Sequence, residues 1–417
     1  MPGSNRRPTP RLPAREPTAW NDERKSLAVR RHLKNARRIC LGKIEKSFLL
    51  RNSFEPFSLN TTASLPLPAW PPQWPEIQQA VLDCLSSQHW ADYRGPAAEQ
   101  LAGNLAKRAG TERCRLVSSG SIGVETSLRS LGLPTGSRVA LCGYDYPGNF
   151  RAIELAGFRP LLIDAATHNF SLAPAPLREV PAEELAAVLV SHLYGIPAEI
   201  QSIAAICQEK GWRLIEDACQ VPGMTIAGKP AGSWGDCGVF SFGGNKPLTA
   251  GSGGALLSSD AAIAATWSRL LDRPSDALPI GELPAAALNA QLPRLDDCNQ
   301  IRNHCTRQLI EQVPWIAGAT EKRSPLQSQS AFTQYKLALQ CESPTEVMDQ
   351  LRELGIPAGP GYRSMHRSSQ RRCDRWGDLP NCQELEQSLC LIDQRVLLCQ
   401  GQAREQLIDA LNRRSCT

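Results

Sequence analysis

I-E-D-A-C-Q-V-P-G-M-T-I-A-G-K-P-A-G-S-W-G-D-C-G-V-F-S-F-G-G-N-K-P-L-T-A-G-S-G-G, residues 215–254, is the stretch whose reading decides the fold of this 417-residue chain. Leu214 and Ile215 end a buried strand, and Glu216 and Asp217 follow at once. Acids at the carboxyl end of a strand in an open α/β sheet stand where such sheets bind ligands. A Gly-rich run leads to a second apolar strand around Val239, Phe240 and Phe242. Lys246 then sits among small residues, with Gly243 and Gly244 before it and Gly251, Gly253 and Gly254 after. Singly these signals are weak. A lysine in a Gly loop reads as a solvated loop residue, and an Asp ending a strand reads as a helix cap. The Gly run lacks the G-x-x-x-x-G-K-[ST] spacing of a P-loop.

Working outward, short buried strands alternate with helices. Strands are expected at Cys114–Val117, Val139–Cys142, Pro160–Ile163, Ala187–Val190 and Ala255–Leu257. Helices are expected at Pro75–Ser87, Arg151–Ala156, Ile200–Lys210 and Asp260–Leu271. This alternation predicts a parallel, doubly wound sheet. After Val117 the chain reads S-S-G-S-I-G-V-E-T-S-L, a strand, a turn containing Gly120 and a helix. Free backbone N–H groups and the positive end of a helix dipole would meet there, as in a phosphate site; a polar turn capped by Ser121 is the plain alternative. G-Y-D-Y-P-G-N-F follows Cys142, and S-H-L-Y-G follows Val190. Beyond residue 316 a smaller domain is expected, with strands at Phe332–Leu339 and Val396–Leu398 and helices at Pro344–Leu354 and Ala403–Leu411.

Composition narrows the function classes. With 42% hydrophobic and 21% charged residues the chain is an ordinary globular protein. It has no apolar run near the ~20 residues of a membrane helix. Fifteen cysteines occur without a C-x-x-C pair, so no zinc or thioredoxin-type motif and no metal is expected, and a reducing, cytoplasmic compartment is. Residues 1–52 carry 14 Lys/Arg against 4 Asp/Glu, and the rest of the chain is net −5. That folded body offers no basic face for nucleic acid. Residues 1–60 read as a basic extension, Pro/Arg-rich and disordered at its start.

The ordered set E-D-A-C-Q, F-S-F and N-K-P-L-T-A-G-S-G-G resembles the cofactor site of the DegT/DnrJ/StrS family of pyridoxal-phosphate-dependent sugar aminotransferases. In that family an Asp and a Gln three residues on are followed by a Ser and, five residues later, by the lysine that holds the cofactor. Asp217, Gln220, Ser241 and Lys246 keep that order and those gaps. The resemblance runs from Leu65 to the C-terminus. It implies the α/β fold type I transferase architecture: a large domain over 61–316, with a mostly parallel sheet flanked by helices, and a small α+β domain over 317–417. It implies pyridoxal 5'-phosphate, with Lys246 and Asp217 catalytic, Asp217 at the ring nitrogen, and Gln220 at the phenolic oxygen. Gly120, Ser121, Ile122 and Ser241 would hold the phosphate, and Tyr146 would stack on the ring. His192 and His366 are weaker candidates to face substrate. An amino-acid donor (glutamate or glutamine), a keto-sugar nucleotide or cyclitol acceptor, and a homodimer are implied too. One departure stands out. The family's Asn-Tyr-Arg element, which reaches the neighbouring subunit's phosphate, is replaced here by A-L-P-I-G over Ala277–Gly281. A catalytically silent scaffold is therefore the competing reading.

Overall fold

The computed structural model describes residues 65–273, 275–321, 330–331 and 333–413. The basic extension expected over residues 1–60 lies outside them. Helices α1 (Pro75–Ser86) and α2 (Pro96–Ala109) lead into strand β1 (Arg113–Val117). The alternation then runs α3 (Gly120–Ser130), β2 (Arg138–Cys142), α4 (Pro147–Leu155), β3 (Arg159–Ile163), α5 (Pro174–Glu179), β4 (Ala187–Ser191), α6 (Ile200–Lys210) and β5 (Arg213–Asp217). Two further strands, β6 (Cys237–Ser241) and β7 (Gly254–Ser258), precede α7 (Ala261–Leu271), α8 (Glu282–Gln291) and α9 (Leu295–Gln312). The C-terminal part contributes β8 (Leu337–Gln340), β9 (Ala358–Pro360), β10 (Asp374–Arg375) and β11 (Leu389–Ile392).

The main sheet has the order β1-β7-β6-β5-β4-β2-β3-β10. Every neighbouring pair is parallel except those of β7, which runs against both β1 and β6. β4, read A-V-L-V-S, is buried at every position. A run of four apolar residues buried without alternation belongs to a strand covered by helices on both faces. The loop from β6 to β7 carries Lys246.

Two local devices place the framework. Asp260 caps α7, its carboxylate accepting from Ala262 N and Ile263 N. The start of α2 is closed by a remote residue. Glu282, 1% exposed, accepts from the backbone N–H groups of Gly95, Ala97 and Ala98 at 3.0, 2.9 and 2.9 Å. These are the orphan donors of a helix N-terminus. A Cβ at Gly95 would lie 2.6 Å from Glu282 Cδ, so the Gly-Pro pair at 95–96 gives the acid room to approach.

The large core lies on both faces of the main sheet. A second cluster joins Leu337, Leu339, Cys390 and Ile392 to Leu351, Leu407 and Leu411. It also takes in Cys305, Leu309, Val313 and Ile316, upstream of residue 317. Conversely, Cys373, Cys382 and Leu385 pack into the large core. The small sheet, β8-β11-β9, is antiparallel.

Two expected strands differ in the structure. Val396–Leu398, expected as a strand, is a 3-10 turn. Asp393 starts it, its carboxylate accepting from Arg395 N and its carbonyl from Val396 N. The central strand is instead L-C-L-I, β11, seven residues earlier; short apolar runs do not reveal which of them winds. At the other end, β8 begins only at Leu337, not at Phe332, which is itself outside the described residues.

Candidate active site

The carboxyl ends of β1, β2, β5 and β6 open on one cleft of about 460 Å³. This is the crevice where open α/β sheets take ligands. Among the residues lining it are Gly120, Ser121, Tyr146, Asp217, Gln220, Ser241 and Lys246. Seven of the residues singled out from sequence are thus brought together.

The floor is built by β5. Asp217, 6% exposed, is fixed by three donors. Cys219 N donates to its Oδ1 at 3.0 Å, and Asn149 Nδ2 and Ser191 Oγ reach its Oδ2 at 2.7 and 3.4 Å. Gln220 is also held: its Oε1 accepts from Tyr194 N at 2.8 Å, and its Nε2 donates to Tyr362 Oη at 3.1 Å. One hydrogen of that amide remains for a ligand.

The wall at α3 is the N-terminus of a helix, with free backbone N–H groups. Ser119, not Ser121, is the cap, its Oγ accepting from Ile122 N at 3.2 Å. Ile122 thus spends its N–H on the cap and does not line the cleft, whereas Gly120 and Ser121 do. A Cβ on Gly120 would lie 2.7 Å from Ser241 Cβ and 3.1 Å from Cys219 Sγ. Only glycine lets the helix start come this close to β6.

Lys246 enters from the β6–β7 loop, its turn closed by Lys246 N donating to Gly243 O at 2.9 Å. Its Nζ lies 5.2 Å from the centre of the Tyr335 ring. Burial lowers the pKa of its amine, while Cys219 and Asp217 act in the opposite direction. A lysine of lowered pKa is a better nucleophile and base at neutral pH. Tyr146 is 41% exposed, its ring edge-on to Tyr362 at 5.8 Å. A Cβ on Gly148 would lie 2.3 Å from Tyr146 Cε1, so that glycine lets the ring lie over the first turn of α4.

The two histidines do not join them. His192 is fully buried and faces away from the cleft. Its Nδ1 accepts from Ala198 N at 3.0 Å, which leaves Nε2 to donate to Glu216 at 2.9 Å. Glu216 in turn accepts from Gly232 N and Trp234 N at 2.7 and 2.8 Å. The pair is a structural anchor for the chain after β5. His366 lies outside the cleft, where its Nε2 accepts from Arg367 Nε at 3.1 Å.

Sequence reasoning missed Asp145, Asn149, Ser191, Tyr335, Lys336 and Tyr362. An acid and an amide four residues apart in Y-D-Y-P-G-N were a usable signal; nothing local marked Tyr362. At Ala277–Gly281 Ile280 is buried, and its Cδ1 would lie 2.5 Å from a Cβ on Gly253, which has φ +114°.

The donor set suits pyridoxal phosphate: a buried carboxylate for a ring nitrogen, an amide for a phenolic oxygen, an amine for an aldehyde, and a helix start for a phosphate. Comparison with known proteins agrees. The L-glutamine:scyllo-inosose aminotransferase of Streptomyces griseus is 27% identical over 308 residues, 67% of this chain and 72% of that one. The GDP-perosamine synthase of Caulobacter vibrioides is 26% identical, covering 69% of this chain and 81% of its own. In fold, the chain resembles 3-amino-5-hydroxybenzoic acid synthase, with a TM-score of 0.75 at 21% identity, over 84% of this chain and 98% of that one. A family model matches residues 73–411. That match spans most of the chain, which belongs to the DegT/DnrJ/EryC1/StrS aminotransferase family.

Proposed function

We propose that the protein moves an amino group from glutamate or glutamine to the keto group of a sugar nucleotide or a cyclitol, in amino-sugar, polysaccharide or secondary-metabolite biosynthesis. Family membership makes the chain a pyridoxal-phosphate-dependent aminotransferase; the proposal concerns its substrates and the residues that act. The observation that carries it is the meeting of Asp217, Gln220, Ser241, Lys246 and the start of α3 around one cleft. The acceptor class is supported by relatives whose names specify inososes and a GDP-sugar. A homodimer in the cytoplasm belongs to the same reading; among the described residues no helix is long and apolar enough to cross a membrane.

When bound, pyridoxal phosphate supplies an electrophilic aldehyde and an electron-withdrawing ring that carry the amino group between donor and acceptor. The chain's own residues do the rest. Asp217, held by Asn149 and Cys219 N, would pair with the ring nitrogen and favour its protonated form. Gln220 donates its remaining amide hydrogen to the phenolic oxygen. Gly120 N, Ser121 and Ser241 bind the phosphate at the positive end of α3. The Lys246 amine would hold the aldehyde and would serve as the base that moves a proton at the substrate carbon. Tyr146 and Tyr362, which line the cleft, would cover the ring. The test is a visible spectrum of the purified protein, borohydride reduction, and mapping of the modified peptide. A yellow protein with pyridoxyl on Lys246 is expected. A protein that stays colourless and unlabelled with added pyridoxal phosphate would refute the reading.

A further inference from the structure

Asp145 takes no part in the reading above, yet it touches what positions Asp217. It follows β2 and is 1% exposed. Tyr146 N lies 2.6 Å and Asn149 Nδ2 3.3 Å from its Oδ1, and Ser191 Oγ lies 2.9 Å from its Oδ2. Two of these groups also serve Asp217, with Asn149 Nδ2 at 2.7 Å and Ser191 Oγ at 3.4 Å from Asp217 Oδ2. Asn149 has two amide hydrogens, enough for both carboxyls, and its Nδ2 also lies 3.0 Å from Ser191 Oγ. Ser191 has one hydroxyl hydrogen and cannot. No cation offsets a second negative charge, for Asp145 has no ion pair among the described residues. The titratable groups that face it are Asp217, Cys142, Cys219 and Tyr362, all of them acids. Burial, with Asp217 second, pushes Asp145 up to about 8. One proton resolves the conflict. A protonated Asp145 Oδ2 donates to Ser191 Oγ, and Ser191 then has its own hydrogen free for Asp217 Oδ2.

We propose that Asp145 is a positioning residue: a buried carboxylic acid that keeps its proton and, through Ser191 and Asn149, holds Asp217 in the orientation that meets a ring nitrogen. The proposal rests on the pyridoxal phosphate reading of the cleft. Its proton and its positioning effect are read separately.

The proton is read on the cofactor-free protein at neutral pH, by infrared difference between wild type and Asp145→Asn. A protonated-carboxyl band present in wild type and missing in the variant is expected; no such band would overturn the proposal. Positioning is read by the affinity for pyridoxal phosphate and for its deaza analogue, in which carbon replaces the ring nitrogen. Asp145→Ala and Ser191→Ala should each weaken pyridoxal phosphate by about tenfold, the worth of one well-placed hydrogen bond, and leave the analogue unchanged. Asp145→Asn, which keeps a donor for Ser191, should restore most of the loss. Equal weakening of both probes would reduce Asp145 to a general structural role and overturn the proposal. Failure of wild type to bind pyridoxal phosphate would remove the cofactor reading and the positioning role with it, while the infrared difference still decides the proton. Should Asp145→Ala not fold, Ser191→Ala, which only severs the link, decides between the same two outcomes.

Discussion

Replacing Asp145 by Asn should change how the protein's stability depends on pH, by an amount that follows from its burial. An unfolded aspartate titrates near 3.9, whereas the folded Asp145 is pushed up to about 8 by burial and by Asp217. Between these values the folded chain holds one proton more than the unfolded chain. Stability from this group is therefore complete below about pH 4 and is lost as pH rises towards about 8. The slope is about 1.4 kcal/mol per pH unit. From pH 5 to pH 7 wild type should lose roughly 2–3 kcal/mol relative to Asp145→Asn, which has no proton to lose. Urea unfolding of both cofactor-free proteins at matched pH measures the difference directly, because titrations common to both cancel. A difference that stays flat across this range would refute the reasoning, for it would mean that Asp145 is ionised in the fold.

Three further outcomes follow from other contacts. Glu282→Ala strips the start of α2 of the acceptor for three backbone N–H groups, each costing about 1–3 kcal/mol when left unmet. Urea unfolding should show a loss of roughly 3 kcal/mol or more, and a loss under about 1 kcal/mol would show that water replaces the acid. Gly120→Ala sets a Cβ 2.7 Å from Ser241 Cβ. It should cost about 1–3 kcal/mol by overpacking and release cofactor on gel filtration, read from visible absorbance; full retention of colour would argue against a phosphate site at the start of α3. His192→Ala removes a buried donor from Glu216. It should lower stability by about 2 kcal/mol and leave the donor KM unchanged, whereas a raised KM with unchanged stability would return His192 to the substrate side.

Much of the architecture is readable because local chemistry and tertiary role coincide. β4 and β7 are buried at every position and apolar up to a closing serine, as suits strands covered on both faces. Ile200–Lys210 ends at Gly211, whose φ of +74° suits a helix C-terminus. The failures share a cause. V-L-L at 396–398 and L-C-L-I at 389–392 are both short and apolar, and only the Asp393 turn between them decides which one pairs. Ser121 and Ser119 are both plausible caps, and the choice depends on where the strand stops and whose hydroxyl faces Ile122 N.

The groups proposed to act were legible in the linear sequence. Asp217, Gln220, Ser241 and Lys246 lie within thirty residues, their spacing set by a strand end, a second strand end and the loop after it. That spacing is a local property, so a linear pattern preserves it. What surrounds them follows from how the strands are ordered in the sheet. Asp145, Ser191 and Asp217 follow or end β2, β4 and β5, and they meet because those strands are neighbours in the sheet. Tyr362 reaches Gln220 across 142 residues of chain. His192 turned inward to meet its partner, Glu216, one residue before the end of the adjacent strand. Strand order, helix cover and the side each residue faces are set by the whole core's burial, and no stretch of sequence holds that information alone.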